Sequence, residues 1–307
     1  MRHCTHAVRR LIATALATVA LTLSLLLSGD AHAAVRQPAG IPDLAGMTLQ
    51  LEDLPAGTTV DSQGYVRFPG TVAAYDRTFI LPSGSGVEWI DGTTYLESSV
   101  TDASDGFNGF LRLLRSKAGR RTFAKGFADG WGAGKARVRV GHPHRFSAGD
   151  GAFTIRLRIK APGVHINAVY ANVHVDRAIG SVFAVGRRPA ATLRETRRLL
   201  TAHALRMRVG LSPRSATPPS IDGAPAVGST LEVAPGTWAA ETKPTGFSYE
   251  WRRCDAAGAA CVAIPGATGP SYVLTATDAG ATFRIAVTAT NTAGSTEAVS
   301  APTQLVA

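Results

Sequence analysis

The sequence has 307 residues, 45% of them hydrophobic and 18% charged, with a formal net charge of +10. After the first thirty-three residues no segment approaches eighteen uninterrupted apolar positions, which excludes a membrane-spanning helix in the remaining chain. The charge is unevenly divided: residues 34 to 210 carry 24 Lys and Arg against 14 Asp and Glu, whereas residues 218 to 307 carry 4 against 7. Two domains with different surfaces are expected, the first of them attracted to anions.

The chain opens as a Sec-type signal peptide at 1–33. Arg2, Arg9 and Arg10 precede an apolar run from Leu11 to Leu27, and Ala31-His32-Ala33 supplies small residues at the first and third positions of a cleavage site. The alternative is an uncleaved anchor, for which a run of about seventeen residues is near the lower limit. Cys4 leaves with the signal, so Cys254 and Cys261 remain and are expected to form a disulfide. In the chain-entropy model a loop of that size contributes on the order of 2.5 kcal/mol. A zinc or redox reading is disfavoured, because the spacing is not Cys-x-x-Cys and no histidine lies nearby.

From 34 to 211 both periods occur, and an α+β domain is expected, an antiparallel sheet with helices on one face. A strand is read near Met47 to Leu54. Phe107, Phe110, Leu111 and Leu114 recur at helical spacing, with Asp102 or Ser104 available as a cap. Val138 and Val140 alternate with Arg137 and Arg139, and Phe153, Ile155, Leu157 and Ile159 alternate with Thr154, Arg156, Arg158 and Lys160. Strands continue at Val164 to Val175 and Ile179 to Val185, joined by turns at Ala161-Pro162-Gly163 and Asp176-Arg177. A helix is expected from about Ala190 to Arg208, stopped near Gly210. This order of elements, with the Val-Arg-Val-Gly phrase at 138 to 141, resembles the secreted PsbP/Mog1-like domains and extracellular sensor domains of actinobacteria.

A linker at 212–218 closes the helical pattern with prolines and small polar residues. From 219 to 307 short β-rich runs alternate with Gly, Pro, Asp and Asn clusters. Phe283, Ile285, Val287 and Ala289 alternate with polar positions, and Phe247, Tyr249 and Trp251 share one side of a strand. Several such strands in about ninety residues indicate a sandwich. Thr237-Trp238, Tyr249 to Asp255, Cys261, Gly266-Ala267-Thr268, Tyr272, Asp278-Ala279-Gly280 and Thr288 to Gly294 resemble the Ig-like repeat of secreted actinobacterial proteins. The resemblance implies an accessory β-sandwich that spaces or presents another domain. Trp238 and Trp251 are read as core packing, with an exposed sugar-binding aromatic as the alternative.

Five cations carry the strongest functional signal. If the two amphipathic strands are neighbours, Arg137 and Arg139 share a face with Arg156, Arg158 and Lys160, and like charges facing across strands repel. The plain reading is a solvated face interleaved with acids from elsewhere; the functional one is an anion-binding surface. A second basic set, Arg112, Arg115, Lys117, Arg120, Arg121 and Lys125, is interleaved with Phe123 and Phe127 and reads as a solvated helix end or a membrane contact. His142 and His144 flank Pro143 and are weak metal candidates, with His165 and His174 as further contributors; tetrahedral zinc needs a third and fourth ligand, and two solvated imidazoles are the plainer reading. His203 is read as a core or border histidine. Gly84-Ser85-Gly86 lacks the spacing of a nucleophile elbow. The run Gly130-Trp131-Gly132-Ala133-Gly134-Lys135-Ala136 fails as a phosphate loop because Asp129 and Ala136 stand where Gly and Ser or Thr are required. Asp102 and Asp105 are explained by a helix start.

No catalytic set and no cofactor is expected. The reading is a secreted or cell-surface, non-enzymatic binding or sensor-like protein that engages an anionic cell-envelope polymer or lipid head groups. Nucleic acid is not expected, since no nucleic-acid-binding motif occurs and export argues against it. A secreted hydrolase drawing on the histidines with Asp150 or Asp176, and a structural adhesion protein, are the alternatives.

Overall fold

A computed structural model describes residues 37–130, 136–161, 164–186 and 188–307. The expected signal peptide, the centre of the glycine-rich run at 131–135 and Pro162-Gly163 lie outside these residues. Contacts divide the chain into two compact units, one ending at Gly210 and the other spanning Leu211–Ala307.

The first unit is built on an antiparallel sheet of β1 (Thr59–Val66), β2 (Ala73–Ile80), β3 (Trp89–Leu96), β4 (Arg137–Val140), β5 (His144–Phe146), β6 (Gly151–Ala161), β7 (Val164–Val175) and β8 (Ala178–Gly186). Its spatial order is β1-β2-β3-β8-β7-β6-β4, with β5 also on β6. Four helices accompany it: α1 (Leu44–Met47), α2 (Val100–Arg115), α3 (Lys117–Gly130) and α4 (Pro189–Leu211). The start of α2 is set by Ser99, whose Oγ accepts the Asp102 amide at 3.0 Å, so the cap lies three residues before the expected Asp102.

Helices cover both faces of the sheet, which corrects the expected one-sided arrangement. On the first face, Phe107, Phe110, Leu114, Phe123 and Phe127 of α2 and α3 pack on Phe153, Ile155, Leu157 and Ile159 of β6, with Tyr170 and Phe183. On the second, α4 lies over β8. A Cβ on Gly180 would stand 2.8 Å from Met207 Sδ, and one on Gly186 would stand 2.4 Å from Thr192 Oγ1. The segment after α1 covers β3, since a Cβ on Gly92 would meet Leu49 at 3.2 Å. The physical reason is that β7 and β8 are apolar or small on both sides: Val169, Ala171, Val173, Val182 and Ala184 are buried opposite Tyr170 and Phe183. A sheet with two apolar faces needs two covers.

Residues 47 to 54 form no strand. Met47 ends α1, and Leu51–Asp53 is a single tight turn in which the Gln50 amide donates to Asp53 Oδ2 at 2.8 Å. Strands β1, β2 and β3 were not anticipated from periodicity. Both sides of β2 and β3 are buried, and Arg77 finds its partners inside: it donates to Leu49 O and Gln63 Oε1, each at 2.8 Å.

A hydrogen-bonded chain ties the second face together. Thr48 Oγ1 donates to Leu44 O at 2.8 Å, so it accepts from Thr94 Oγ1, also at 2.8 Å. The Thr94 proton is thereby committed, and His203 Nε2, 2.8 Å away, must be the donor to Thr94. His203 is fully buried, and burial lowers its pKa from 6.5 to about 3, with Arg206 acting in the same direction and Asp53 opposing it.

The second unit is rich in short antiparallel strands. A four-stranded sheet, β14-β13-β16-β17 (Val262–Ala263, Gly246–Cys254, Thr282–Thr290, Ser295–Val299), accompanies a three-stranded one, β10-β11-β15 (Ser220–Asp222, Thr230–Ala234, Ser271–Val273). A short pair, β12-β9 (Thr237–Trp238, Ser215–Thr217), completes it. Trp251, Phe283, Ile285, Val287, Leu231 and Leu274 form the core, and Trp251 Nε1 donates to Gly269 O at 3.0 Å. Trp238 is partly buried and donates to Pro235 O at 3.1 Å, so both tryptophans serve packing. Cys254 and Cys261 are joined by the disulfide.

Two outcomes test this packing. Gly186→Ala places its Cβ against Gly86 O and Thr192 Oγ1, both 2.4 Å away; thermal or denaturant unfolding is expected to show a loss of about 1–3 kcal/mol. His203 is neutral when folded and protonates when unfolded, so stability is retained above pH 6.5 and lost as pH falls toward 3. In unfolding curves taken across that window, His203→Leu is expected to show a shallower acid limb than the parent; an identical limb would refute the assignment.

Candidate anion-binding face

The cations anticipated on β4 and β6 are brought together. Leu157 pairs with Val140, Arg158 with Arg139, Ile159 with Val138 and Lys160 with Arg137. Because β6 alternates strictly, its odd-numbered residues enter the core under α2 and α3 while Arg156, Arg158 and Lys160 emerge exposed on the other face, beside exposed Arg137 and Arg139. On the far side of β6, Lys160 lies opposite His165, Arg158 opposite Asn167 and Arg156 opposite Val169. His144 of β5 lies opposite Thr154 on this same face.

Among the described residues none of the five cations forms an ion pair; Glu52, Asp53, Asp129, Asp150 and Glu195 of this unit pair with other cations. Like charges directly opposite one another destabilise a sheet by a few tenths to about 1 kcal/mol per pair. Edge protection explains part of the pattern, since β4 ends the sheet and charges there discourage pairing with another chain. It does not explain Arg156, Arg158 and Lys160, which sit on a strand hydrogen-bonded on both sides.

The other candidates have structural employment or stand apart. Arg120 Nη1 donates to Leu114 O at 2.9 Å and Arg115 O at 2.8 Å, closing the end of α2; Lys125 pairs with Asp129 at 2.6 Å, and Phe123 and Phe127 are core. His142 and His144 are both exposed, and among the described residues no group of three or more His, Cys, Asp or Glu is placed to hold a metal. His174 is buried, stacks on Phe107 at 6.0 Å and bonds Asp176 O at 2.7 Å. Asp150 accepts the Asp176 amide at 2.8 Å and pairs with Arg208 at 2.7 Å, so it fastens the β7–β8 turn to α4. Asp176 holds that turn with φ 53 and accepts the Arg177 amide at 2.7 Å. Ser85 Oγ donates to Val87 O within its own turn.

A buried acidic pair escaped the sequence reading. Asp76 and Asp91 face the sheet interior from β2 and β3, and Thr93 Oγ1 lies 2.7 Å from Asp76 Oδ1 and 3.2 Å from Asp91 Oδ1. Burial, and then the Asp76 charge, hold the Asp91 carboxyl well above the usual carboxylate range. The two residues lie fifteen apart on separate strands, so only the β2–β3 register, which sets Asp76 opposite Thr93 and Thr78 opposite Asp91, brings them together.

No family model matches the chain, and no curated protein matches it. Among solved structures, the extracellular domain of PknH from Mycobacterium tuberculosis aligns with a TM-score of 0.29 and 12% identity, covering 54% of this chain and 98% of that one. Agreement at that level carries no argument about this chain's fold or site. Among the described residues no helix is long and apolar enough to cross a membrane.

Because the folded pKa of Asp91 is raised, its contribution to stability is present below the ordinary carboxylate pKa and declines as pH rises. Asp91→Asn is therefore expected to melt higher than the parent at pH 7, with the advantage shrinking as pH falls toward 3. A variant that melts lower at pH 7 would overturn this assignment.

Proposed function

We propose that this chain is a non-enzymatic binding protein of the cell exterior whose first unit holds an anionic envelope component, and whose second unit is an Ig-like sandwich that presents it. The observation that carries this reading is the row of five exposed cations, four of them in register as two like-charge pairs, with no carboxylate paired to any of them among the described residues. A fold that tolerates this repulsion without internal counter-ions leaves the positive potential available to an external anion. Export is supported by the amino-terminal charge and apolar pattern and by the disulfide, which suits an oxidising compartment. The sandwich is supported by two principal sheets contributing to one core around Trp251. The residues offered for a hydrolase, Asp150, Asp176 and His174, are spent on a turn and a ring stack.

The test compares the protein with a variant carrying Arg137, Arg139, Arg156 and Arg158 each changed to Ser, sedimented with isolated cell envelope at low and high salt. The parent is expected to bind in a salt-sensitive way, and the variant to lose binding while unfolding no earlier than the parent, since two like-charge oppositions have been relieved. Undiminished binding by the folded variant would sink the proposal.

A further inference from the structure

We propose that the ligand of the cationic face is a linear phosphodiester polymer lying along β6 in a ledge between that strand and the flank of α4. This rests on the anion-binding reading of the same face. Three features of the site point to a chain of regularly spaced phosphates in preference to a membrane surface.

The first is relief. Thr192 and Met207 stand over Gly186 and Gly180 of β8, so α4 covers the middle of the second face and leaves β6 and β4 open beside it. A helix with its side chains is about 10 Å across. It therefore forms a wall, with Arg156, Arg158 and Lys160 as the floor. A planar bilayer resting on the crest of α4 would stop about that distance short of β6, whereas a single polymer chain can lie in the step.

The second is a cation brought in from the wall. The Arg197 guanidinium of α4 sits 5.3 Å from the centroid of the Phe146 ring, and Phe146 pairs with Ala152 on the same side of β6 as Arg156. The contact holds the guanidinium near the Ala152 end of the same face of β6 without neutralising it. Arg197 Nε is buried with no hydrogen-bond partner, and among the described residues the side chain makes no ion pair. Its delocalised fork suits a phosphate better than a point charge would.

The third is spacing. Arg156, Arg158 and Lys160 recur every second residue, about 6.8 Å apart, and Arg139 and Arg137 repeat beside the last two on the neighbouring strand about 4.8 Å away. Phosphates joined through a three-carbon polyol are separated by six bonds, about 7 Å when extended at ordinary bond lengths. The two periods match, so successive phosphates meet successive cations.

The experiment titrates the whole purified protein with glycerol phosphate oligomers of two, four and eight units, and separately with phosphatidylglycerol vesicles, using phosphatidylcholine vesicles as the uncharged control. The eight-unit oligomer is expected to bind at least about tenfold tighter than the two-unit one, with affinity falling steeply between about 50 and about 200 mM salt. Arg158→Ser and Arg197→Gln are each expected to weaken it about tenfold and to lower the salt slope by about 1. Arg198→Ser on the flank of α4 that meets the segment after α1, where Arg198 pairs with Glu195 and donates to Asp53 O, each at 2.6 Å, should leave binding unchanged. Arg158 is exposed on a strand surface, so its variant keeps the test open if Arg197→Gln folds poorly. Vesicles that bind as tightly as the eight-unit oligomer, with no effect of Arg197→Gln, would overturn the polymer in favour of a lipid surface. If neither oligomer nor vesicle binds, the anion-binding reading falls with it.

Discussion

The strict alternation of β6 is the constraint on which the first unit depends. Phe153, Ile155, Leu157 and Ile159 are all buried under α2 and α3, and each such side chain contributes about 1.5–3 kcal/mol. A slip of one residue would expose all four and drive Arg156, Arg158 and Lys160 into the core. Against that sum, repulsion of at most about 1 kcal/mol at each of two like-charge oppositions is small. The core therefore dictates where the cations stand, and the fold can carry an uncompensated positive row without losing its register.

The second face shows the complementary effect. Glycines at 92, 180 and 186 leave notches that receive Leu49, Met207 and Thr192, so the cover approaches β3 and β8 closely. The cover ends there, and the polar groups beneath it must be satisfied from within. His203, Thr94 and Thr48 do so by passing one donor along a chain that ends on Leu44 O. Asp91, under the opposite face, manages instead by holding its proton. His203 and Asp91 are thus held neutral beneath the two covers, while Arg156, Arg158 and Lys160 stand exposed where the sheet is open.

Legibility in the sequence follows burial geometry. β6 and β4 could be read because one side is apolar and the other charged, and α2 because its phenylalanines recur at helical spacing. β1 to β3 could not be, since β2 and β3 are buried on both sides and mix Asp76, Arg77, Thr78, Asp91 and Thr93 with apolar residues. The segment from Met47 to Leu54 reads as a strand, although Asp43 and Asp53 favour turns there through their hydrogen bonds to Gly46 and Gln50. In the second unit, alternation at Phe283, Ile285, Val287 and Ala289 corresponds to four fully buried side chains on one strand.

By itself the sequence determined the period of each amphipathic element, the excess of positive charge before residue 210 and the pairing of its last two cysteines, because these depend on residue order and nearest neighbours alone. Only the tertiary structure decided that helices lie on both faces, that Arg139 stands opposite Arg158, that Arg197 reaches Phe146, and that no carboxylate among the described residues pairs with the cationic row. Such facts join residues tens of positions apart. An alternating pattern states which side of a strand is apolar, but strand register and helix placement, set by packing of the whole core, decide what each side meets.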